Sequence, residues 1–204
     1  LAETPEIYGA EHLLTRRAIN AQVGQKLVEQ VQAWEERTKL LGTEINNNPT
    51  HGNQAGGLTT IYEKALGAVV KGGHTPLMDV YHYAEQVSTR GLVFMDTPGY
   101  DPVSVTGQVA GGCTLVLFTT GRGSVFGFKP APTIKVASNT ALYESMPGDM
   151  AFDAGRLLEG APIESLAAGL LDLVLEVASG HPSKSEAQGI GEAEFSPWDL
   201  GEAL

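Results

Sequence analysis

The stretch Gly91–Gly127 constrains the fold more than any other part of the sequence. It holds two short apolar runs, Leu92–Met95 and Leu115–Phe118, rich in Val, Leu and Phe and bounded by turn-forming residues. Runs of this length and composition predict buried β-strands. The segment Asp101–Gly111 between them begins with Asp-Pro and ends in glycine, which is typical of a helix. A strand–helix–strand pattern predicts two parallel strands joined by a right-handed crossover.

Polar residues follow each predicted strand, and parallel strands bring their carboxyl ends to one edge of a sheet. We therefore expect the loops that begin at Asp96 and at Thr119 to lie at the same edge, where open parallel sheets bind ligands. A third strand, Ile134–Ala137, brings Asn139 to that edge. The guanidinium of Arg122, the backbone of the glycines beside it and the free N–H groups of the helix start favour an anion. The residues alone thus predict a site for a carboxylate or a phosphate.

The rest of the chain predicts more helices around one parallel sheet, built from residues 91–95, 114–119 and 133–137. Helices are expected over about 10–18, up to about Leu41, over 60–68, from Pro76 onwards and over 162–179, and a polar, glycine-rich loop over 42–60. The helix that ends near Leu41 repeats apolar residues at helical spacing, ending with Trp34. The sequence shows neither a repeat nor a linker, so we predict a single α/β domain.

Composition excludes several classes of partner. Twenty-four acidic residues against thirteen basic ones give a net charge of -11, and no basic run is present, which argues against nucleic acid and anionic membranes. No apolar run approaches eighteen residues. The single cysteine, Cys113, cannot form an internal disulfide, which fits a cytoplasmic location.

Several acidic residues are candidates for chemistry. Thr60–Glu63 has the capping-box pattern, so Glu63 is either a helix cap or, beside Lys64 and a long polar loop, a general base or metal ligand. Asp149 and Asp153 would lie one turn apart if their segment were helical and could then share a divalent ion. The alternative for this pair is a solvated acidic turn.

Five segments together resemble the altronate/galactarate dehydratase family, the sugar-acid hydro-lyases. They are ETPEIYGAEHLLTRRA (3–18), NNPTHGNQAGGLTTIYEKALGAVVKGG (47–73), FMDTPGYDPVSVTGQVAGG (94–112), LFTTGRGSVFGFKPAPTIKVASN (117–139) and EFSPWDLG (194–201). They span almost the whole chain in the family's order.

The resemblance implies a Rossmann-like parallel sheet with helices on both faces, of which this chain is similar to the second half. It implies a longer enzyme, whose N-terminal part would be this chain's partner, and a possible homo-oligomer. Family enzymes eliminate water from sugar acids with help from a divalent metal, commonly iron or manganese. Because the chain begins just after a predicted strand end, we expect the isolated chain to show little or no dehydratase activity.

We therefore expect an elimination that gives a 2-keto-3-deoxy acid, with a base that removes the proton next to the substrate carboxylate. The predicted catalytic residues are Glu63, Lys64, Asp96 and Arg122; the predicted substrate-binding residues are Asn53, Thr119, Thr120, Gly121, Gly123 and Asn139; the predicted metal ligands are Asp149 and Asp153. Two alternatives stay open. One is a carbon–sulfur lyase that releases sulfite from a small sulfonated hydroxy acid, and the other is a non-catalytic structural half of a larger enzyme.

Overall fold

The computed structural model describes residues 1–45, 51–55 and 57–199, without the side chain of Asn53. Its helices are α1 (Glu11–Thr15), α2 (Ala21–Leu40), α3 (His51–Ala55), α4 (Ile61–Val70), α5 (Asp101–Ala110), α6 (Thr140–Ser145), α7 (Ile163–Ala178) and α8 (Lys184–Ala187). Its strands are β1 (Leu77–Tyr81), β2 (Leu92–Met95), β3 (Val116–Thr120), β4 (Thr133–Ala137) and β5 (Phe152–Asp153). Short 3-10 helices cover Thr4–Ile7 and Gly155–Leu157. All the described strand pairings are parallel, which confirms the predicted α/β class.

The strands belong to two sheets, in two compact units. Unit 1 comprises Leu1–Gly112 and the segment that begins at Pro197, and unit 2 comprises Cys113–Ser196. Unit 1 holds the sheet β1-β2, and unit 2 holds the sheet β3-β4-β5. The prediction that 91–95 shares a sheet with 114–119 and 133–137 is therefore wrong. The strand–helix–strand pattern identified each element correctly, but it could not say which strand is the neighbour of which. That both units form a single domain stays a prediction.

The sheet of unit 1 is extended at its β2 side by the first residues of the chain. Ala2 forms a parallel bridge with Met95, and the amide of Met95 donates to the carbonyl of Leu1 at 2.9 Å. The first residues thus behave as the end of a strand, as the sequence predicted. The carboxyl ends of this short segment, of β1 and of β2 face the same way, and the three together are called the unit 1 edge below.

Strand β1 replaces the helix that was predicted from Pro76. Leu77, Val80 and Tyr81 recur at helical spacing after a proline, but the structure pairs them with β2, in a register that shifts between Leu77 and Asp79. Leu77, Val80 and Tyr81 are all buried. A run of five residues does not distinguish the two periods, and the long-range pairing with β2 decides the outcome.

Helix α2 covers this sheet and carries one side of the site. The side chain of Asn20 accepts a hydrogen bond from the amide of Val23 at 2.9 Å and caps its first turn. Leu27 and Trp34 are buried, as the apolar spacing predicted. Trp34 stacks on Trp198 with ring centroids 5.4 Å apart, so the C-terminal segment packs against α2.

In unit 2 the central strand β4 is buried along its whole length. Its apolar residues pack with Val177, and with partly buried Leu170, Leu173 and Val174 of α7. Ile163, the first residue of α7, is 59% exposed. Strand β5 pairs with β4 and includes Asp153. Within the described residues no helix is both long and apolar enough to cross a membrane.

Candidate functional site

Asp96 follows β2 at the unit 1 edge, as predicted, and its carboxylate is held from two sides. Its Oδ1 accepts hydrogen bonds from Trp34 Nε1 at 2.7 Å and from Thr4 Oγ1 at 2.5 Å. Its backbone amide donates to the carbonyl of Tyr81, the last residue of β1. Two donors on the same oxygen fix the orientation of the carboxyl group and leave Oδ2 without a hydrogen bond from any described residue.

Glu3 occupies the corresponding place after the Leu1–Ala2 segment, and sequence reasoning missed it. Its backbone is left-handed, with φ 75°, and its amide donates to Thr97 Oγ1 at 3.0 Å. Left-handed backbone is unfavourable for a residue with a Cβ and is concentrated at functional sites. The residue is half-buried as a whole, but its carboxyl group is desolvated.

Desolvation raises the pKa of Glu3 from 4.5 to about 8, and the negative charges of Glu6 and Asp101 add to the effect. Lys71 and Lys64 lower it by a smaller amount. A carboxyl group that titrates near neutral pH can either donate or accept a proton under physiological conditions, which makes it a candidate acid–base group.

Lys64, a predicted catalytic residue, belongs to the surroundings of Glu3. Its Nζ forms an ion pair with Glu6 Oε1 at 2.7 Å, and both side chains are largely buried. Burial, and next the charge of Glu6, raise the pKa of Asp101, which is the first residue of α5. We call Glu3, Glu6, Lys64 and Asp101 the Glu3 cluster. No short sequence motif unites its members, because they come from three separate segments.

Glu63, the neighbour of Lys64, is not part of this cluster. Its Oε2 accepts hydrogen bonds from the amide and the hydroxyl of Thr59, at 2.9 and 2.6 Å. These bonds, the hydroxyl's first, lower the pKa of Glu63. A lowered pKa and an exposed position favour the helix-cap alternative over the general base. Asn53 lies on α3, and its predicted contact with substrate falls on a side chain outside the described ones.

The predicted anion site after β3 lies in unit 2. Thr120 Oγ1 accepts hydrogen bonds from the amides of Arg122 and Gly123, at 3.3 and 3.0 Å. Asn139 donates from Nδ2 to the carbonyl of Gly121 at 3.1 Å, and its Oδ1 caps helix α6. The expectation that the Gly123 amide is free for an anion is therefore wrong, because the neighbouring threonine hydroxyl satisfies it.

The remaining groups of this loop stay accessible. Arg122 is exposed, and its guanidinium makes no hydrogen bond or ion pair with the part of the chain that the structure describes. Thr119 is exposed too. The argument that placed Asp96 and Arg122 at one edge no longer holds, because β2 and β3 belong to different sheets. The catalytic role of Asp96 in unit 1 and that of Arg122 in unit 2 both stay predictions.

Asp149 and Asp153 are not arranged as the predicted metal pair requires. Their segment is not helical, since Asp153 belongs to β5 and accepts a hydrogen bond from the Gly155 amide at 2.9 Å. Asp149 Oδ1 forms an ion pair with Lys135 Nζ at 2.9 Å. Asp149 also interacts with the positive charge of Lys184. A carboxylate between two ammonium groups is already neutralised, which disfavours a cation there.

The comparisons with known proteins agree with the resemblance found in the sequence. The family model described as D-galactarate/Altronate dehydratase, C-terminal, matches residues 1–203. The chain belongs to this family. It is 40% identical over 181 residues to altronate dehydratase of Bacillus subtilis (strain 168), which covers 88% of this chain and 36% of that protein.

The chain is also similar to two further proteins with different names. Galactarate dehydratase (L-threo-forming) of Escherichia coli (strain K12) is 38% identical over 180 residues, which are 88% of this chain and 34% of that protein. The (2R)-sulfolactate sulfo-lyase subunit beta of Chromohalobacter salexigens is 34% identical over 198 residues, 95% of this chain and 50% of that protein. The chain thus spans between about a third and a half of the length of these relatives.

The family resemblance also implied a divalent metal, which stays a prediction. Across 1–45, 51–55 and 57–199, no three His, Cys, Asp or Glu side chains gather as a metal ion requires. Asp149 and Asp153 have the partners given above.

Proposed function

We propose that this chain supplies acid–base residues to a hydro-lyase that eliminates water from a sugar acid, similar to altronate or galactarate. The proposal also takes the chain to be one part of a longer enzyme, whose N-terminal part is its partner. The names of the relatives support the reaction class. The observation that carries the proposal is the Glu3 cluster at the unit 1 edge, where Thr4, the residue after Glu3, donates a hydrogen bond to the carboxylate of Asp96.

The elimination needs a base, an acid and a positive charge. In the proposed mechanism Asp96 Oδ2 removes the proton from the carbon next to the substrate carboxylate, and the electron pair moves into an enediolate. Lys64 stabilises the added negative charge of the enediolate. The β-hydroxyl leaves as water after it receives a proton, and the resulting enol rearranges to the 2-keto-3-deoxy acid.

Glu3 is the proposed donor of that proton. Its pKa of about 8 keeps the carboxyl group mostly protonated at neutral pH, so it is ready to act as an acid. Positioned acid–base groups of this kind contribute about 10²–10⁴-fold to a rate. Arg122 is retained as a proposed ligand for a carboxylate, on the basis of its exposed guanidinium in unit 2.

A product assay tests the proposal. The full-length enzyme that carries this chain is incubated with altronate or galactarate, and the keto acid is identified by mass spectrometry as the substrate minus one water. We expect this product, and we expect Glu3→Gln to slow its formation by about 100-fold or more. The exposed Glu36→Gln on α2 is the matched control. Absence of a dehydrated product from both acids would refute the proposed reaction.

A second candidate function is a carbon–sulfur lyase, because the sulfo-lyase subunit beta matches 95% of this chain. In that reaction a proton is again lost next to the carboxylate, but the carbon–sulfur bond breaks and its electron pair leaves with sulfite. Measuring sulfite released from (2R)-sulfolactate separates the two. Sulfite without any dehydrated sugar acid would favour the second candidate.

The isolated 204-residue chain is expected to show little or no turnover, because it spans about a third of the altronate and galactarate dehydratases it matches. Full turnover by the isolated chain, with iron or manganese added, would contradict this expectation. We also propose a cytoplasmic location, in keeping with one exposed free cysteine, Cys113, and a possible homo-oligomer. Gel filtration of the full-length protein tests the oligomer.

A further inference from the structure

We propose that the cavity between α2 and the unit 1 edge binds a polyhydroxy carboxylate through Gln30 and Arg37. This inference deepens the proposed function and rests on it for the class of ligand. The cavity, called the α2 pocket below, has a volume of about 400 Å³, within the range of small-ligand sites. Its polar lining includes Lys26, Gln30, Arg37, His82, Glu85 and Asp96.

Gln30 has a buried hydrogen-bond acceptor that no described residue satisfies. The residue is 6% exposed, and its Nε2 donates to the carbonyl of Tyr81 at 3.0 Å. A carbonyl oxygen only accepts, so the amide nitrogen must face it and the amide cannot be flipped. Oε1 therefore points away from Tyr81, and no described residue donates to it. Buried polar atoms rarely lack a partner, and here the missing partner must be a donor such as a hydroxyl group.

Arg37 lies about two helical turns after Gln30 on α2 and has a buried hydrogen-bond donor without an acceptor among the described residues. Its Nη1 is buried and meets no acceptor among the described residues. The guanidinium lies over the ring of Trp198, 4.3 Å from its centroid, and 5.1 Å from that of Trp34. Contact with the two stacked rings holds the guanidinium in place without using its hydrogen bonds. A fixed guanidinium with a free N–H group suits a carboxylate.

The charged side chains that line the α2 pocket restrict the kinds of ligand that can bind there. Lys26 is already paired with Asp79 at 2.7 Å, whereas Arg37 forms no ion pair with any described residue. Glu29, Glu85 and Asp96 also line the pocket. Three carboxyl groups repel a phosphate or another compact dianion but accept hydrogen bonds from hydroxyl groups. The combination favours one carboxylate at Arg37 and several hydroxyls elsewhere, which is the composition of an aldonic acid.

Tryptophan fluorescence offers a direct test, because both tryptophans of the chain, Trp34 and Trp198, lie against Arg37. The chain is titrated with D-altronate as the probe. Altritol, which lacks the carboxylate, hexanoate, which lacks the hydroxyls, and inorganic phosphate are titrated in parallel. We expect a saturable change in emission with altronate and at least about ten-fold weaker binding of the other three compounds.

Two variants assign the contacts. Gln30→Leu removes the acceptor at nearly the same volume, and Arg37→Lys keeps the charge but loses the planar fork. Each should raise the Kd for altronate about ten-fold. The matched controls are Gln32→Leu, on the exposed side of α2, and Arg16→Lys, and neither should change the Kd. Circular dichroism of each variant verifies that it is folded.

Several results would overturn the inference. The first is that altronate causes no saturable change in the emission of the wild type. The second is that hexanoate or altritol binds as tightly as altronate. The third is that the Kd for altronate is unchanged in both folded variants. The inference and the proposed function can fail separately. Binding without any dehydration would leave the α2 pocket standing and refute the reaction, whereas dehydration with an unchanged KM in both variants would refute the pocket alone.

Discussion

Asp149→Asn is predicted to destabilise unit 2 strongly, because it leaves the partner lysine buried without a counter-charge. Lys135 lies on the central strand β4, its side chain is 0% exposed, and Asp149 is 17% exposed at a distance of 2.9 Å. At that distance the attraction between unit charges is about 6 kcal/mol for an effective dielectric constant of about 20. The cost of removing one member of a buried pair is about 3–5 kcal/mol.

A second positive charge adds to the effect. Lys184 donates to the carbonyls of Pro147 and Met150, both at 2.6 Å, and interacts with the charges of Asp149 and Lys135. Without the negative charge of Asp149, nothing at this position offsets the repulsion between Lys135 and Lys184. We therefore expect a loss near the upper part of the 3–5 kcal/mol range, a large fraction of the ~5–15 kcal/mol by which a domain is stable.

Hydrogen exchange is the appropriate assay, since both tryptophans belong to unit 1 and would not report on β4. Amide protection of the peptide 133–137 is measured by mass spectrometry in wild type, in Asp149→Asn and in Asp172→Asn. Asp172, exposed on α7, is the matched control for the loss of one negative charge. Protection of β4 that falls equally in both variants, or in neither, would refute the reasoning.

The double variant Lys135→Met/Asp149→Leu separates burial from pairing. It removes both charges and fills the space with apolar atoms, so it should recover most of the protection that Asp149→Asn loses. A metal ligand at Asp149 predicts another pattern, in which protection depends on added iron or manganese and the double variant recovers nothing.

Three further predictions follow from the site residues. Fold stability should decrease from about pH 4.5 to about pH 8, because the folded chain retains the Glu3 proton that the unfolded chain loses. In melting curves, Glu3→Gln should make the fall of the melting temperature with pH less steep, and an equally steep fall in both proteins would contradict this prediction. Glu63→Gln should increase hydrogen exchange at the start of α4 while leaving turnover unchanged, and a loss of turnover would restore Glu63 as a base. Arg122→Lys in the full-length enzyme should keep the melting temperature and lose about ten-fold or more in activity, whereas early melting with normal turnover would make Arg122 structural.

The sequence predicted best what depends on local periodicity. Helix α2 was expected from its apolar stripe, and α5 and α7 from their start and stop residues. The structure ends them within a residue or two of the expected positions. The prediction for the segment of β1 was wrong, because its five residues fit the spacing of a helix as well as that of a strand. Its assignment depends on pairing with β2, which local sequence does not encode.

The site was predictable only where it follows directly from a strand end. Asp96 was found in this way, and the structure confirms its place at the edge of a parallel sheet. Glu3 was not, because its raised pKa comes from residues such as Asp101 that are distant in sequence. Gln30 and Arg37 lie on a helix whose stripe explained Trp34 as packing, and only the structure shows their unsatisfied hydrogen-bonding atoms.

The pH dependence of turnover tests the account most directly, since it asks whether the Glu3 cluster performs the elimination. The full-length enzyme is assayed for dehydration of altronate from pH 5 to pH 10, in wild type and in Glu3→Gln. A general acid with a pKa of about 8 predicts that wild-type kcat/KM falls as the pH rises above about 8, while the variant is slow throughout and lacks that fall. If Glu3→Gln instead turns over at the wild-type rate with the same pH profile, the cluster does not carry the proton and the proposed mechanism is wrong.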